Sequence, residues 1–331
     1  MSRAKVVLVG TGRMGAIRAK ILYSNPRVNF CGVVDVNEEA ATKLATVFNT
    51  KAYTSVSAAM QAVGGLDGVV VCTPTFTHDA VIREAASFGL HIFTEKPVEE
   101  NEEKVTKLFN ICRENNAKLY CGFQRRFDAT YKSVADSVRS GKIGKPLSAS
   151  IFFADHPCPP IEFLLTGGDI FMDLSPHDVD YIRYCLNDEV DSVFATGSSS
   201  DEKLKNAGVC DNATMVLSFK TGAIVTLTMS RSASYGYDQR CEIFGTEGLA
   251  CVNNEHADSS IISNKGGIQQ ARLKHSFPER FDGAFATEIE MFVDGILHNV
   301  AWPISEQDCI AAQKIADAAR RSAELHEVIK L

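Results

Sequence analysis

The chain has 331 residues, 45% of them hydrophobic and 23% charged, and a formal net charge of −7. That length exceeds one ordinary domain and that composition belongs to a folded globular protein, which excludes disorder, fibrous repeats and low complexity. The acidic balance, with no stretch in which Lys and Arg interleave with aromatics, excludes a nucleic-acid surface and leaves a small metabolite as the natural partner.

The longest apolar runs, 6–9 and 68–72, are strand-sized and fall far short of the roughly 20 residues that cross a bilayer, so no membrane partner is expected. The chain reaches its first strand within a few residues and shows no signal-peptide core. Its ten cysteines include no Cys-x-x-Cys pair, and they are expected to be free thiols in a reducing, cytoplasmic setting.

A β-branched run over 5–9 leads into Gly10-Thr11-Gly12-Arg13-Met14-Gly15 and then a helical pattern through Leu22. Strand, glycine turn and helix in that order make a dinucleotide cradle. The first glycine permits the turn, the second lets the backbone approach a pyrophosphate, and the third lets helix and strand pack closely. A second strand, 30–34, ends at Asp35, twenty residues beyond Gly15, where a carboxylate accepts hydrogen bonds from the ribose hydroxyls. The same carboxylate repels a 2′-phosphate, and Val36 and Asn37 offer no arginine to bind one, so NAD is expected rather than NADP. Gly10, Gly12, Arg13, Met14, Gly15 and Asp35 are the first cofactor-binding candidates.

The alternation continues with helix 38–48, strand 69–72, helix 77–88, strand 91–93, helix 102–115 and strand 119–122, the pattern of a doubly wound parallel sheet whose ligands lie beyond the strand C-termini. Two of those ends are chemically loaded, Cys72-Thr73-Pro74-Thr75 and Thr94-Glu95-Lys96-Pro97. Lys96 precedes a proline, which keeps it out of helical geometry at the sheet edge. Thr73, Pro74, His78, Glu95, Lys96 and Gln124 are the remaining cofactor-side candidates, His78 as a hydrogen bonder at its helix start. The adjacent Arg125 and Arg126 read equally as an anion clamp or as solvated charges.

From residue 148 the pattern changes to short β-rich segments broken by glycine turns, 148–154, 191–196, 211–219, 223–230, 238–245 and 248–253, followed by helical spacing over 285–297 and 309–326. This reads as an antiparallel meander. The fold class is α/β: an N-terminal Rossmann doubly wound parallel sheet plus a C-terminal α+β domain with an open, mainly antiparallel sheet. Residues 1–122 form the dinucleotide-binding domain, 123–147 the boundary region, and 148–331 the substrate-binding and oligomerisation domain. The uncovered face of that sheet is expected to seat a second subunit, giving a dimer or tetramer.

Residues 167–180 pack four acids and one histidine into an apolar frame. Asp173 and His177 are four apart, a spacing that suits an acid/base relay, a metal site or a solvated cluster. Pro176 is expected to start a helix there rather than interrupt one. Nothing else in the chain offers histidine at a matching spacing, so no metal is expected.

The glycine turn, the Glu95-Lys96-Pro97 tripeptide and Asp173 four before His177 together resemble the Gfo/Idh/MocA oxidoreductase family over essentially the whole chain. Residues 122–128 and the 235–245 segment that begins Tyr235-Gly236-Tyr237-Asp238 are similar to its inositol 2-dehydrogenase branch. The resemblance implies that Lys96, Asp173 and His177 are catalytic and that Arg125, Asp155, Asp180 and Tyr235 line a polyol pocket. It implies NAD-dependent oxidation of a secondary alcohol, myo-inositol first, with His177 as base, Asp173 as its orienter and Lys96 at the reacting oxygen. Phe153 and the Asp155-His156-Pro157 loop depart from that pattern and bear on the substrate. A related dehydrogenase for another cyclitol or an aldose, a non-catalytic dinucleotide sensor and an NAD-dependent glycosidase are the alternatives.

Overall fold

The computed structural model of the chain describes residues 2–331 as two compact units. The first comprises residues 2–124 and Gly283–Ala311, the second Arg125–Asp282 and Ala312–Leu331. Among the described residues, no helix is long and apolar enough to cross a membrane.

The first unit follows the expected alternation: β1 (Ala4–Val9), α1 (Arg13–Ser24), β2 (Val28–Val34), α2 (Glu38–Val47), β3 (Ala52–Tyr53), α3 (Val56–Val63), β4 (Gly68–Val71), α4 (His78–Ser87), β5 (His91–Glu95), α5 (Glu102–Glu114) and β6 (Leu119–Gly122). The sheet order is β3-β2-β1-β4-β5-β6 and every pairing is parallel. Chain order reverses beside β1, and the loops after β1 and β4 therefore leave the sheet side by side. That is the switch point where an open α/β sheet places its ligand.

The second unit contains α6 (Ala129–Arg139), β7 (Pro146–Ala154), α7 (Ile161–Gly167), α8 (Ile170–Asp173), α9 (Ser175–Leu186), β8 (Val190–Ser198), α10 (Glu202–Asn206), β9 (Asn212–Phe219), β10 (Ile224–Ser230), β11 (Asp238–Gly245) and β12 (Leu249–Val252). An exposed hairpin, β13 (Ile261–Asn264) and β14 (Gly267–Gln270), and α11 (Phe277–Arg280) follow. The chain then crosses to the first unit in α12 (Asp282–His298) and returns through α13 (Glu306–Leu325) to the edge strand β15 (Ile329–Lys330).

The second sheet runs β12-β11-β7-β10-β9-β8-β15, antiparallel except for β7 beside β10, which is parallel. It is a mixed sheet rather than the simple meander expected from the strand spacing. Pairing of β7 with a strand about 75 residues later is a long-range choice that local patterning does not encode.

Strand alternation divides this sheet into two faces. Register aligns Ala195, Met215, Leu227, Ile151, Cys241 and Val252 in one row across β8, β9, β10, β7, β11 and β12, and all six are buried. The next inward row ends on Phe153 and Gln239, so a buried glutamine stands where the pattern calls for an apolar residue. The opposite face carries Phe194, Val216, Thr226, Ser150 and Glu242 in one row and Ser218, Ile224, Ser148, Phe244 and Leu249 in another. Its Phe194, Ile224, Phe244 and Leu249 are exposed.

The assignment of 283–311 to the second domain does not hold. In α12, Ile289, Phe292 and Val293 recur at helical spacing and pack with Val6, Leu8, Phe93 and Tyr120 in the core of the first unit. Phe292 meets Phe93 and Tyr120 edge-on, and Trp302 donates to the Cys121 carbonyl at 3.1 Å. Helical periodicity shows that α12 buries one stripe; only packing shows against which unit.

That stripe contains an acid. Arg18 on α1 is fully buried and bonds Glu95 Oε1 at 2.7 Å, Glu288 Oε2 at 2.6 Å and the Phe285 carbonyl at 2.9 Å. Two carboxylates share one guanidinium. Burial pushes Glu288 up to about 7, with Arg18 pulling the other way and the Glu95 charge adding to the rise. A carboxyl raised in the folded state favours folding in its protonated form. That contribution is complete below an ordinary glutamate's value, near 4.5, and is lost as pH rises through about 7. Glu288→Gln removes the titration while Arg18 keeps Glu95, so the variant is expected to gain on the wild type between pH 4.5 and 8 by up to about 3 kcal/mol. Thermal melts at the two pH values check this, and parallel pH profiles for the two proteins would show that Glu288 does not titrate in that range.

Candidate functional site

In the first unit, three glycines shape the turn between β1 and α1. Gly10 has φ +100°, and a Cβ there would lie 2.7 Å from the Cys72 carbonyl oxygen. A Cβ at Gly15 would lie 2.1 Å from the Gly10 carbonyl, so this glycine lets helix and turn close on each other. Gly12 differs from both, because a Cβ there would meet nothing within 4 Å. Its surroundings are open at the N-cap of α1, where no side chain caps the helix and no acid occupies the first turn. Exposed N–H donors and the positive end of the helix dipole suit a pyrophosphate.

Asp35 stands at the end of β2, as expected. Its Oδ2 accepts from Thr11 N at 2.9 Å and Thr11 Oγ1 at 2.7 Å, and its Oδ1 accepts from Asn37 N at 2.9 Å. The glycine turn thus fixes the carboxylate's orientation beside the cradle. Arg13 is exposed at the first position of α1, and Met14 packs against the core.

The loops after β4 and β5 carry the other candidates. Thr73 Oγ1 is buried and makes no hydrogen bond within the chain, the state of a hydroxyl whose partner is a ligand. Pro74 is exposed beside it. His78 is buried, with Nε2 2.9 Å from the Thr73 carbonyl and Nδ1 3.0 Å from the Pro97 carbonyl. One imidazole therefore ties the β4 loop to the Glu95-Lys96-Pro97 loop, a more specific role than capping its own helix. Glu95 is held by Arg18, and Lys96 follows it, half-buried, with a cis peptide to Pro97. Gln124 is buried at the end of this unit, opening the 3₁₀ turn Gln124–Phe127. The uncapped helix, the open Gly12, the oriented Asp35 and the orphaned Thr73 hydroxyl together fit a dinucleotide.

In the second unit, the acid-rich segment is two helices. Asp169 caps α8, accepting from Met172 N at 2.9 Å, and Asp173 is the last residue of α8. Pro176 lies in the first turn of α9, as expected of a helix start, and His177 follows it. Leu174 alone separates the two helices, and both Asp173 and His177 are half-buried near the junction.

Each remaining acid of the segment has its own arginine. Asp180 is 0% exposed and receives Arg126 Nε at 2.8 Å and Nη2 at 2.6 Å. Asp178, also 0% exposed, accepts from Gln239 Nε2 at 3.0 Å and lies 3.3 Å from Arg125 Nη2, which donates to Gln239 Oε1 at 2.6 Å. Burial pushes Asp178 up to about 6; Arg125 and Gln239 pull it down and only partly offset the desolvation. Arg125 is 1% exposed and stacks over Phe153, 5.1 Å from the ring centroid. The departure at Phe153 thus has a structural role, as the apolar floor under a buried guanidinium.

Two expected pocket residues accordingly have other partners. Arg125 is sequestered with Asp178 and Gln239, and Asp180 is fully buried against Arg126, so a substrate hydroxyl reaching Asp180 has to share its carboxylate with that arginine. Asp155 is half-buried just beyond β7, with its carboxylate accepting from His156 N at 2.9 Å and its backbone N–H donating to the Ser230 carbonyl at 2.9 Å. Tyr235 is 56% exposed and donates to Asp238 Oδ2 at 2.7 Å. It lines a groove of about 450 Å³ on the open face of the sheet, with Phe152, Thr214, Thr228 and Ser230.

The sequence reading assigned no final role to Asp178, Gln239 or Arg231. Arg231 donates from Nη1 to Asp173 Oδ2 at 2.8 Å and is 1% exposed. A signal for the last two existed. Gln239 and Arg231 occupy inward positions of the β11 and β10 alternations, where a polar side chain has to find a buried partner. Among the described residues, no three His, Cys, Asp or Glu side chains converge to hold a metal ion.

Comparison with known proteins agrees with this geometry. A family model described as an oxidoreductase family with an NAD-binding Rossmann fold matches residues 4–123, and one described as a GFO/IDH/MocA C-terminal domain matches 131–251. An inositol 2-dehydrogenase of Rhizobium meliloti is 34% identical, with 95% of each chain covered. A myo-inositol 2-dehydrogenase of Thermotoga maritima is 32% identical, covering 99% of this chain and 98% of that one. A scyllo-inositol dehydrogenase from Lactobacillus casei, solved with bound NAD(H) and scyllo-inositol, superposes with a TM-score of 0.92 at 26% identity over 99% of each chain. By these matches the chain belongs to the Gfo/Idh/MocA oxidoreductases, with NAD as its cofactor.

Proposed function

We propose that the protein is an NAD-dependent dehydrogenase that oxidises a secondary alcohol of a cyclitol, with myo-inositol as first choice. The observation that carries this reading is the break between α8 and α9, on either side of which Asp173 and His177 are half-buried while Asp178 and Asp180 are buried beside arginines. The relatives' names support the cyclitol.

His177 accepts the hydroxyl proton, since an imidazole titrates in the range a base for this step needs. Asp173 orients the ring and stabilises the imidazolium that forms. Lys96 donates a hydrogen bond to the reacting oxygen as it passes from hydroxyl to ketone. When bound, NAD supplies the acceptor for the hydride at C4 of its nicotinamide, so the alcohol leaves as a ketone with one proton on His177 and the hydride on the cofactor. Asp155 and Tyr235 offer polar atoms for the other hydroxyls. Arg125 and Asp180 serve first to hold the 124–127 turn and α9 in place, through their pairs with Asp178 and Arg126.

The open sheet face, with exposed Phe194, Ile224, Phe244 and Leu249, supports a homo-oligomer, dimer or tetramer, built on that face. All ten cysteines are thiols rather than disulfides, which supports a cytoplasmic setting.

The reading is tested with NAD and a panel of cyclitols and aldoses, followed by NADH absorbance. Myo-inositol or an isomer is expected to give the highest kcat/KM, and an aldose ahead of every cyclitol would overturn the substrate class. His177→Ala is expected to lower kcat by about 10²- to 10⁴-fold with the Kd for NAD unchanged, as the loss of a general base requires. A matching loss of NAD affinity in a fluorescence titration would contradict its role. Asp35→Ala is expected to narrow the preference for NAD over NADP, because it removes the charge that repels a 2′-phosphate; an unaltered kcat/KM ratio for the two cofactors would take Asp35 off the ribose.

A further inference from the structure

A charge at an inward position of a sheet is costly unless it is paired and hydrogen-bonded. The inward residues of β10 are Val225, Leu227 and Met229, all buried, and the next in phase is Arg231, 1% exposed. Its Nη1 donates to Asp173 Oδ2 at 2.8 Å and its Nη2 donates to the Gly168 carbonyl at 2.7 Å. Its own backbone N–H is anchored on the Asp211 carbonyl at 2.8 Å, at the β9 end of the sheet. One guanidinium therefore joins the rigid sheet to the turn before α8 and to the acid at its end.

The need for such a clamp follows from the length of α8. Four residues make one turn, too short to be stable by its own hydrogen bonds. Its support is the Asp169 cap at one end, the burial of Ile170 and Phe171, and Arg231 at the other. The guanidinium plane is itself held by the Gly168 carbonyl, so Nη1 meets Asp173 Oδ2 from a fixed direction in a way that a flexible ammonium does not. We propose that Arg231 is the positioning residue of the reaction: it sets the orientation of Asp173, and through it the orientation of the base. This rests on the reading of Asp173 as the orienter of His177.

Arg231→Met keeps the side chain's reach and removes its charge and donors. With inositol and NAD, kcat and kcat/KM are expected to fall together by about 100-fold, the loss typical of a displaced catalytic group, with the Kd for NAD unchanged. Arg231→Lys, which restores the charge without the fork, is expected to fall between Arg231→Met and wild type. The deciding measurement is the coupling. In an Asp173→Asn background, Arg231→Met is expected to change kcat by less than about threefold, because the group it positions is already disabled. Losses that instead multiply would show that Arg231 acts independently of Asp173 and would overturn the proposal. Should Arg231→Met fail to fold, the same coupling is read from Arg231→Lys with Asp173→Asn, with the same two outcomes. Asp173→Asn alone separates the two ideas: full turnover in that variant sinks the orienting role, whereas a large loss with multiplicative coupling sinks only the clamp.

Discussion

The second unit depends on one constraint, that a charge removed from water needs a fixed partner. Three arginines, at 125, 126 and 231, are almost wholly buried, and each faces a different aspartate of the 173–180 segment: Asp178, Asp180 and Asp173. The partners approach from separate parts of the chain, two from the turn after β6 and one from the end of β10. The pairs therefore pin α9 to the turn after β6 and α8 to the end of β10. Exposed ion pairs contribute little to stability, but breaking a buried one leaves a charge stranded and typically costs about 3–5 kcal/mol, so the pairs at Asp178 and Asp180, buried on both sides, have little freedom to rearrange.

Balance within the pairs differs in a way that matters to the chemistry. Asp180 meets a bidentate fork at 2.6 and 2.8 Å, the geometry in which an arginine holds a carboxylate most firmly. Asp178 meets Arg125 at 3.3 Å and shares Gln239 with it, and there burial outweighs the attraction, which is why its carboxyl titrates high. Asp173 is the one member of the three with substantial exposure, 36% of its side chain, while its arginine is as buried as the others. An acid anchored from beneath and open above is suited to act on something outside the protein. The other two are suited to hold the helix that carries His177.

Much of this was legible in the sequence, and the boundary of legibility is physical. The glycine turn, Asp35 and the lysine before Pro97 are local arrangements in which chemistry and spacing travel together, and each lies where its motif implies. Pro176 was readable as a helix start because its missing N–H is harmless only in a first turn. What failed to show were choices of partner. The periodicity of α12 says that Ile289, Phe292 and Val293 face something apolar, yet not that this is the first unit. The pairing of β7 with β10 and the assignment of Arg125 to Asp178 are decided between segments far apart in the chain. Arg231 lies between these cases. Its position in the β10 alternation announces a buried charge, and the acid-rich segment announces a surplus of carboxylates, but neither names the other.

Clusters of the same design occur in each of the two units. In the first, Arg18 binds Glu95, the residue before Lys96, and takes Glu288 from α12 as its second acid. In the second, Arg231 binds Asp173, four residues before His177. In both, a buried arginine pairs with an acid that lies close in sequence to a candidate catalytic residue. Perturbations of the two clusters should therefore be separable in kind. A change around Arg18 acts on the strand end that carries Lys96 and on the stability of the dinucleotide-binding unit, and it follows the titration of Glu288. A change around Arg231 leaves that unit intact and acts on the orientation of a single carboxylate. The candidate residues Lys96, Asp173 and His177 are half-buried, while Arg18 and Arg231 are buried, each within its own unit.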